Sequence, residues 1–437
     1  MAIATNALPN QGNGADLDRR ARGAFITPGY RWGFALVTSL FLLWAVANNL
    51  NDVLIRQFQK SLGLNRAEAG FIQFVFYIAY FTMALPAGLL MRRFGYKAGI
   101  LVGLSLYAAG ALLFYPASLA RTYGAFLSAL FVIAAGAAFL ETAANPYIAA
   151  FGDPTRASQR LNLAQAFNGF GGFLAPVIGG LFIFSGVEHS AGSLGAMTPV
   201  QREAYRIAEA QTVQLPYITL AVIVLLVGVG IALTRLPAMR ADGEAPPLSS
   251  QLRAVLRQRS LIGATIAQFF YVGAQVGIWS FFIDFVKDST PGVSERQAAY
   301  LLSASLVLFM IGRFVGTALM TKVRPVTLLG TFAVINIGLC AVAAATSGQV
   351  AVGAFMLTSL FMSIMFPTIF ALGVQNLGPL APLGSSCIIM AIIGGAIFPP
   401  MMGLVATQSG SMHAAILLPL GCFLVVAGYA RIVRRQA

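Results

Sequence analysis

Apolar residues run along this chain in blocks of about twenty, separated by short polar connections that carry nearly all of the charge. The blocks fall at 32–54, 69–91, 98–119, 123–149, 161–186, 215–236, 261–285, 298–320, 326–347, 350–374, 384–408 and 412–431. Each is long enough to cross the hydrocarbon core as a helix, which takes about 20 residues. A helix satisfies every backbone group within its own segment, so it can stand in lipid alone. The pattern predicts an all-α membrane protein with twelve transmembrane helices.

Composition supports this. Of 437 residues, 58% are hydrophobic and 10% charged, with mean hydropathy +0.79. Soluble domains carry about 25% charged residues. The net charge of +14 would suggest nucleic acid in a soluble protein. Here 19 of the 28 Lys and Arg residues lie in the tails and loops on one side, eight on the other, and Arg313 inside a block. The positive-inside rule then places both termini in the cytoplasm. Residues 1–30 are polar, lack the apolar core of a cleavable signal, and read as a disordered cytoplasmic tail. Cys340, Cys387 and Cys422 are scattered, with no disulfide or metal spacing, so no metal is expected.

The longest charged connection, RLPAMRADGEAPPLSSQLRAVLRQRS, separates six blocks from six. The halves echo each other. NPYIAAFG (145–152) resembles FPTIFALG (366–373), and GGFLAPVIGG (171–180) resembles GGAIFPPMMG (394–403), at nearly the same offset. This predicts a six-helix bundle over 31–236, a linker over 237–260, and a second bundle over 261–437. Such repeats place a solute site near the bilayer midplane, between the halves.

Several blocks contain polar residues at helical spacing. Asn48, Asn49 and Asp52 share one face of the first, and Glu141 and Asn145 one face of the fourth. Asn162, Gln165 and Asn168 line the fifth; Gln268, Gln275 and Trp279 line the seventh. A lone Asn or Gln is often interhelical glue, but aligned stripes on four helices predict one shared cavity. The two acids are costlier, at roughly 2.5–3.5 kcal/mol for a charge at the bilayer centre. No Lys or Arg lies at matching depth in the first half, so each carboxyl is expected to be neutral part of the time and able to load and release a proton. Neither acid has a counterpart in the second half. Trp44, Tyr77, Tyr271, Trp279 and Phe366 add aromatic rings to these faces. A ring face beside amides and a carboxylate suits a sugar. Arg313 reads as a gating or structural group that snorkels or caps a neighbouring helix's carbonyls. Trp32 reads as an interfacial anchor.

GLLMRRFGYKAG (88–99) joins the second and third blocks. It resembles the GxxxDRxGRR-type loop of the major facilitator superfamily at Gly88, Arg93, Gly95 and Lys97. Arg92 stands at that motif's acidic position. The segments SLFLLWAVANNLNDVLIRQFQ, FLETAANPY, RLNLAQAFNGFG, YVGAQVGIWS, IGRFVGT and SIMFPTIFALGVQNLG together resemble the fucose–galactose–glucose:proton symporter family of that superfamily. Within it, ANNLND, YVGAQ and LGSS are most like the members that carry L-fucose.

The resemblance implies a twelve-helix fold working by alternating access in a bacterial inner membrane, without an organic cofactor and as a monomer. It implies that Glu141 couples the proton and that Asp52 is a second essential acid near the sugar. Asn49, Gln165, Asn168 and Gln275 match polar cavity positions, and Asn145, Trp279 and Phe366 join them as candidate sugar contacts. Gly88, Arg93, Gly95 and Arg313 are the candidates for gating or structure. Phe366 replaces a tyrosine of the fucose-type pattern. The expected function is proton-coupled import of a neutral hexose or 6-deoxyhexose, with L-fucose favoured. The same mechanism acting on glucose, galactose or N-acetylglucosamine is the alternative. A proton/drug antiporter would favour a broad apolar pocket over amide stripes, and a passive facilitator would dispense with both acids. No nucleophile–base set or phosphate loop points to an enzyme.

Overall fold

A computed structural model describes residues 24–62, 66–183, 197–234, 236 and 248–436. Regular structure among them is entirely helical. Twelve rods follow in chain order. They are α1 (Arg31–Leu62), α2 (Arg66–Phe94), α3 (Tyr96–Ala120), α4 (Tyr123–Ala149), α5 (Ala157–Ile178) and α6 (Gln214–Leu233). Then come α7 (Arg259–Ser280), α8 (Glu295–Leu319), α9 (Pro325–Ala345), α10 (Gly348–Val374), α11 (Gly378–Ser409) and α12 (Met412–Arg435). Eleven are long and apolar enough to cross a membrane. The exception is α5, whose hydropathy is lowered by Asn162, Gln165 and Asn168.

Helix breaks depart from the sequence reading where local chemistry dictates. The connection before α6 holds a further helix, Pro199–Gln211, opened by a capping box between Thr198 and Gln201 with Pro199 at its first position. The seventh block was expected to run to 285, but α7 ends at Ser280 and a short helix, Phe282–Ser289, follows. Inside α10, a turn at Ser363 and Ile364 divides Gly348–Met362 from Met365–Val374.

The expected free tail is corrected at its inner end. The Thr27 backbone N–H donates to the Phe151 carbonyl at 2.8 Å and its hydroxyl at 3.0 Å. The cause is Arg160, fully buried at the start of α5. It donates to the carbonyls of Ile148 (3.1 Å), Asp153 (2.9 Å), Phe25 (3.2 Å) and Ala149. A buried guanidinium needs such acceptors, and here they tie residues 24–30 to the α4–α5 corner. Residues 1–23 lie outside the described residues. Of the expected linker, 237–247 lie outside them too, and Leu248–Val255 forms a helix that buries Gln251 and Val255.

Packing repeats after a shift of six helices. The pairs α1–α5, α2–α4, α3–α4 and α3–α6 recur as α7–α11, α8–α10, α9–α10 and α9–α12. The first six helices meet the last six through α2–α11 and α5–α8, which exchange under the same shift. Gly88 of α2 allows one of these approaches. A Cβ there would stand 2.1 Å from the Ser386 Oγ and 2.8 Å from the Pro382 carbonyl oxygen of α11. The Ser386 hydroxyl donates to the Ala84 carbonyl at 2.7 Å, and Ser385 donates to that of Thr142 at 2.9 Å. Gly95 has another task. Its φ of +84° makes the tight turn between α2 and α3, after which Lys97 donates to the Ala232 and Thr234 carbonyls at the end of α6.

Gly88→Val should push α2 and α11 apart, because overpacking a close helix contact costs about 1–3 kcal/mol. Spin labels on the adjoining ends of these helices should report a longer, broader distance distribution. An unchanged distribution would contradict the close-approach role.

Candidate functional site

A cavity of about 470 Å³ lies between the first six helices and the last six. From the first half it is lined by Trp44, Asn48 and Asn49 of α1; Gln73, Phe76, Tyr77 and Tyr80 of α2; Glu141 of α4; and Gln165 and Asn168 of α5. The second half supplies Gln275 and Trp279 of α7, Arg313 of α8 and Phe366 of α10, with apolar neighbours such as Leu302 and Leu306. The lining extends to Gln73, near the start of α2, and Ser280, the last residue of α7. Those helix ends lie on the side opposite the termini. The Ser385, Ser386 and Gly88 contacts lie at the other ends, so the cavity is sealed toward the termini.

Hydrogen bonds explain how the polar groups are held. The Asn49 amide donates to Ala45 O of its own helix at 2.7 Å, and the Asn168 amide to Phe41 O at 3.3 Å. Asn145, expected to contact substrate, is fully buried behind the wall. Its Oδ1 accepts from the Gln165 amide at 3.4 Å, so it orients Gln165 instead. The Trp279 indole N–H donates to Ser359 Oγ at 3.1 Å, and its ring meets Phe309 edge-on at 4.9 Å. Asn162 donates to Thr368 Oγ1 at 3.2 Å across the two halves, rather than entering the cavity.

Arg313 corrects the expectation that Glu141 has no cation nearby. Among the described residues the first half offers none, but Arg313 arrives from α8 in the second and lines the same cavity as Glu141. It donates to the Gln165 carbonyl, to Asn168 Oδ1 at 3.3 Å, and to Ser363 O at 3.3 Å. Its guanidinium also lies 4.6 Å from the Phe309 ring centre. Glu141 itself is 6% exposed and lines the cavity beside Tyr80.

Other candidates sit elsewhere. Gly88, Arg93 and Gly95 belong to the closed side, with Arg93 against Phe94 at 5.2 Å. Tyr271 is buried between α7 and α10, donating to Met362 O at 3.1 Å. Gln268 is fully buried outside the cavity, its amide without a hydrogen-bond partner among the described residues. Asp52 lies one helical turn beyond Asn48 and Asn49 on α1, but its side chain is outside the described residues. Sequence reasoning passed over Gln73, Phe76 and Tyr80. The signal was there: Gln73, Tyr77 and Tyr80 recur at spacings of four and three, on one face of α2.

The chain matches the Major Facilitator Superfamily over residues 33–386. It belongs to that superfamily. It is a multi-pass membrane transporter, not an enzyme. Among curated proteins it is similar to the L-fucose-proton symporter of Escherichia coli (strain K12), 45% identical over 421 residues and covering 95% of each chain. It is also similar to the glucose/galactose transporter of Brucella abortus, 38% identical over 405 residues, covering 92% of this chain and 94% of that one. Among solved structures it superposes on a superfamily transporter, FucP, in the outward conformation. That match has a TM-score of 0.87 and 45% identity, covering 92% of this chain and 99% of the other. The proton:xylose symporter XylE, 14% identical with a TM-score of 0.63, shares the fold alone.

Arg313→Leu would leave the Gln165 carbonyl and Asn168 Oδ1 without this donor. A hydrogen bond from a charged group is worth about 1.5–3 kcal/mol. The variant should unfold several degrees below the parent in detergent, with Arg313→Lys recovering only part, because an ammonium lacks the planar fork. Equal unfolding temperatures for all three would show that the bridge carries no stability.

Proposed function

We propose that this chain is a proton-coupled symporter that imports a neutral hexose or 6-deoxyhexose, L-fucose favoured, by alternating access. The observation that carries this reading is one cavity, built from both halves, that joins Glu141 to a set of amides and an indole face. Asn49, Gln165, Asn168 and Gln275 suit sugar hydroxyls, and Trp279 suits the apolar face of a pyranose ring. Glu141 takes the proton, and Asp52, one turn past Asn49, is assigned to coupling beside the sugar. The relatives named for L-fucose–proton symport and glucose/galactose transport support this choice. The amide lining argues against a broad drug pocket. Phe366 brings no hydroxyl to the cavity, which keeps glucose, galactose and N-acetylglucosamine as alternative cargoes.

The working cycle follows from the geometry. The described state is open away from the termini and closed toward them. With both termini assigned to the cytoplasm by the charge bias, sugar and proton enter from outside. Neutralised Glu141 and bound sugar permit the two six-helix bundles, 31–236 and 261–437, to rock about the cavity. The closed-side hydrogen bonds of Ser385 and Ser386 end on backbone carbonyls, so they can break and re-form. Each chain holds a whole cavity, which fits a monomer in a bacterial inner membrane.

In proteoliposomes, adding the transported sugar should alkalinise the medium as protons leave it with the sugar. Labelled L-fucose uptake should be competed by the true substrate in a panel with D-galactose, D-glucose and N-acetylglucosamine. No proton movement with any of them would sink the symport reading. Glu141→Gln should retain sugar exchange yet lose proton-driven accumulation, and uphill uptake by that variant would overturn the role of Glu141. Asp52→Ala should weaken binding or abolish transport; unchanged affinity and rate would remove it from the mechanism.

A further inference from the structure

Tyr80 lies between the residue assigned to the proton and the polar face of α1. It is 1% exposed, its ring 5.2 Å from that of Phe76. Its hydroxyl accepts from the Asn48 amide at 3.4 Å, and the Glu141 carboxyl group lies beside it in the same cavity lining. Three helices, α1, α2 and α4, thus meet at this wall. All three side chains line the cavity. Asn48 Oδ1 is buried and has no hydrogen-bond partner among the described residues. It is an acceptor beside a hydroxyl that has only one proton to give.

That proton has a choice set by Glu141. While Glu141 is a carboxylate, it is the stronger acceptor, and a charge-assisted bond draws the Tyr80 O–H toward it. The phenol oxygen then accepts from Asn48 Nδ2. Once Glu141 takes a proton from bulk water through the cavity, its own O–H can donate to Tyr80 Oη. The Tyr80 O–H is released and can turn to Asn48 Oδ1, with the amide rotating to present that atom. No proton passes through Tyr80; each group keeps its own, and only directions change. Asn48 neighbours Asn49 on the face assigned to the sugar.

We propose that Tyr80 is the positioning residue through which the protonation of Glu141 reaches Asn48 and thereby sets sugar affinity. This rests on the symport reading above. The other ionisable groups bearing on the pair are Tyr107 of α3 and Arg313 of α8. Tyr107 is fixed by donating to Leu43 O at 2.9 Å, and Arg313 is held by its carbonyls. From α5, Gln165 reaches the cavity, while Arg160 is spent on the α4–α5 corner. Residues 348–409, spanning α10 and α11, contain no Asp, Glu, Lys, Arg or His. On α1, Asp52 follows Asn48 by one turn.

The test is sugar affinity of the purified full chain across mildly acidic to mildly basic pH, measured with L-fucose and D-galactose. The parent's affinity should change by about tenfold over that range, a usual size for coupling between two sites. Glu141→Gln should flatten the profile, which assigns it to Glu141 rather than Asp52. Tyr80→Phe, which keeps the ring on Phe76, should flatten it equally, whatever its absolute affinity. A packing role alone would move affinity or stability and leave the slope. A parental slope in Tyr80→Phe overturns the inference and leaves symport standing. If wild-type proteoliposomes show no sugar-evoked proton movement, symport fails and takes the inference with it.

A second readout covers poor folding of Tyr80→Phe. Sugar should shift the infrared carbonyl band of protonated Glu141, identified by its absence in Glu141→Gln. Asn48→Leu should abolish that sugar-induced shift. Its persistence there overturns the link.

Discussion

A guanidinium without water must find acceptors, and Arg313 finds them on both sides of the molecule. It reaches the Gln165 carbonyl and Asn168 Oδ1 in one half and the Ser363 carbonyl in its own. Bare in hydrocarbon, such a charge would cost several kcal/mol. The same group therefore closes the floor of the cavity and places a positive charge in the lining it shares with Glu141. The second half has no acid to answer it at the corresponding depth. Attraction between the halves and the electrostatics of the site thus share one side chain.

The same constraint shapes the rest of the seal. Among the described residues, three side chains cross between the halves to backbone carbonyls: Ser386 to Ala84, Ser385 to Thr142, and Arg313 to Gln165. Carbonyls already engaged within a helix have a second lone pair free, so they accept a neighbour without losing their own bond. Such contacts can be exchanged when the halves rock. Arg160 shows the opposite use. It is fully buried and held by carbonyls within one half, so it fixes a corner rather than a gate.

Much of the site was legible because helical spacing is a strict rule. Asn49, Gln165, Asn168, Gln275 and Trp279 share stripes in the sequence and share the cavity in space. Asn145 shows the limit of the rule. It lies one turn from Glu141 on the same face, yet stands behind Gln165, because the neighbouring α5 decides which part of a face is wall and which is backing. Tyr80 was missed for a related reason. An aromatic in an apolar helix is usually packing, and only its place between Asn48 and Glu141 distinguishes it. The helix Pro199–Gln211 carries a capping box in TPVQ, inside a polar connection that lacks the apolar run of a span.

The sequence alone determined twelve spans, a repeat after six helices, and acids within the apolar blocks confined to the first half. Hydrocarbon enforces length, apolarity and the cost of charge residue by residue, so these properties survive in one dimension. Tertiary structure decided which side of the cavity is open, which amides reach it, and that the cation for Glu141 comes from α8. Those outcomes depend on how one helix face meets another across some two hundred residues of chain. Periodicity along a helix names a face, but only packing between helices says what that face will see.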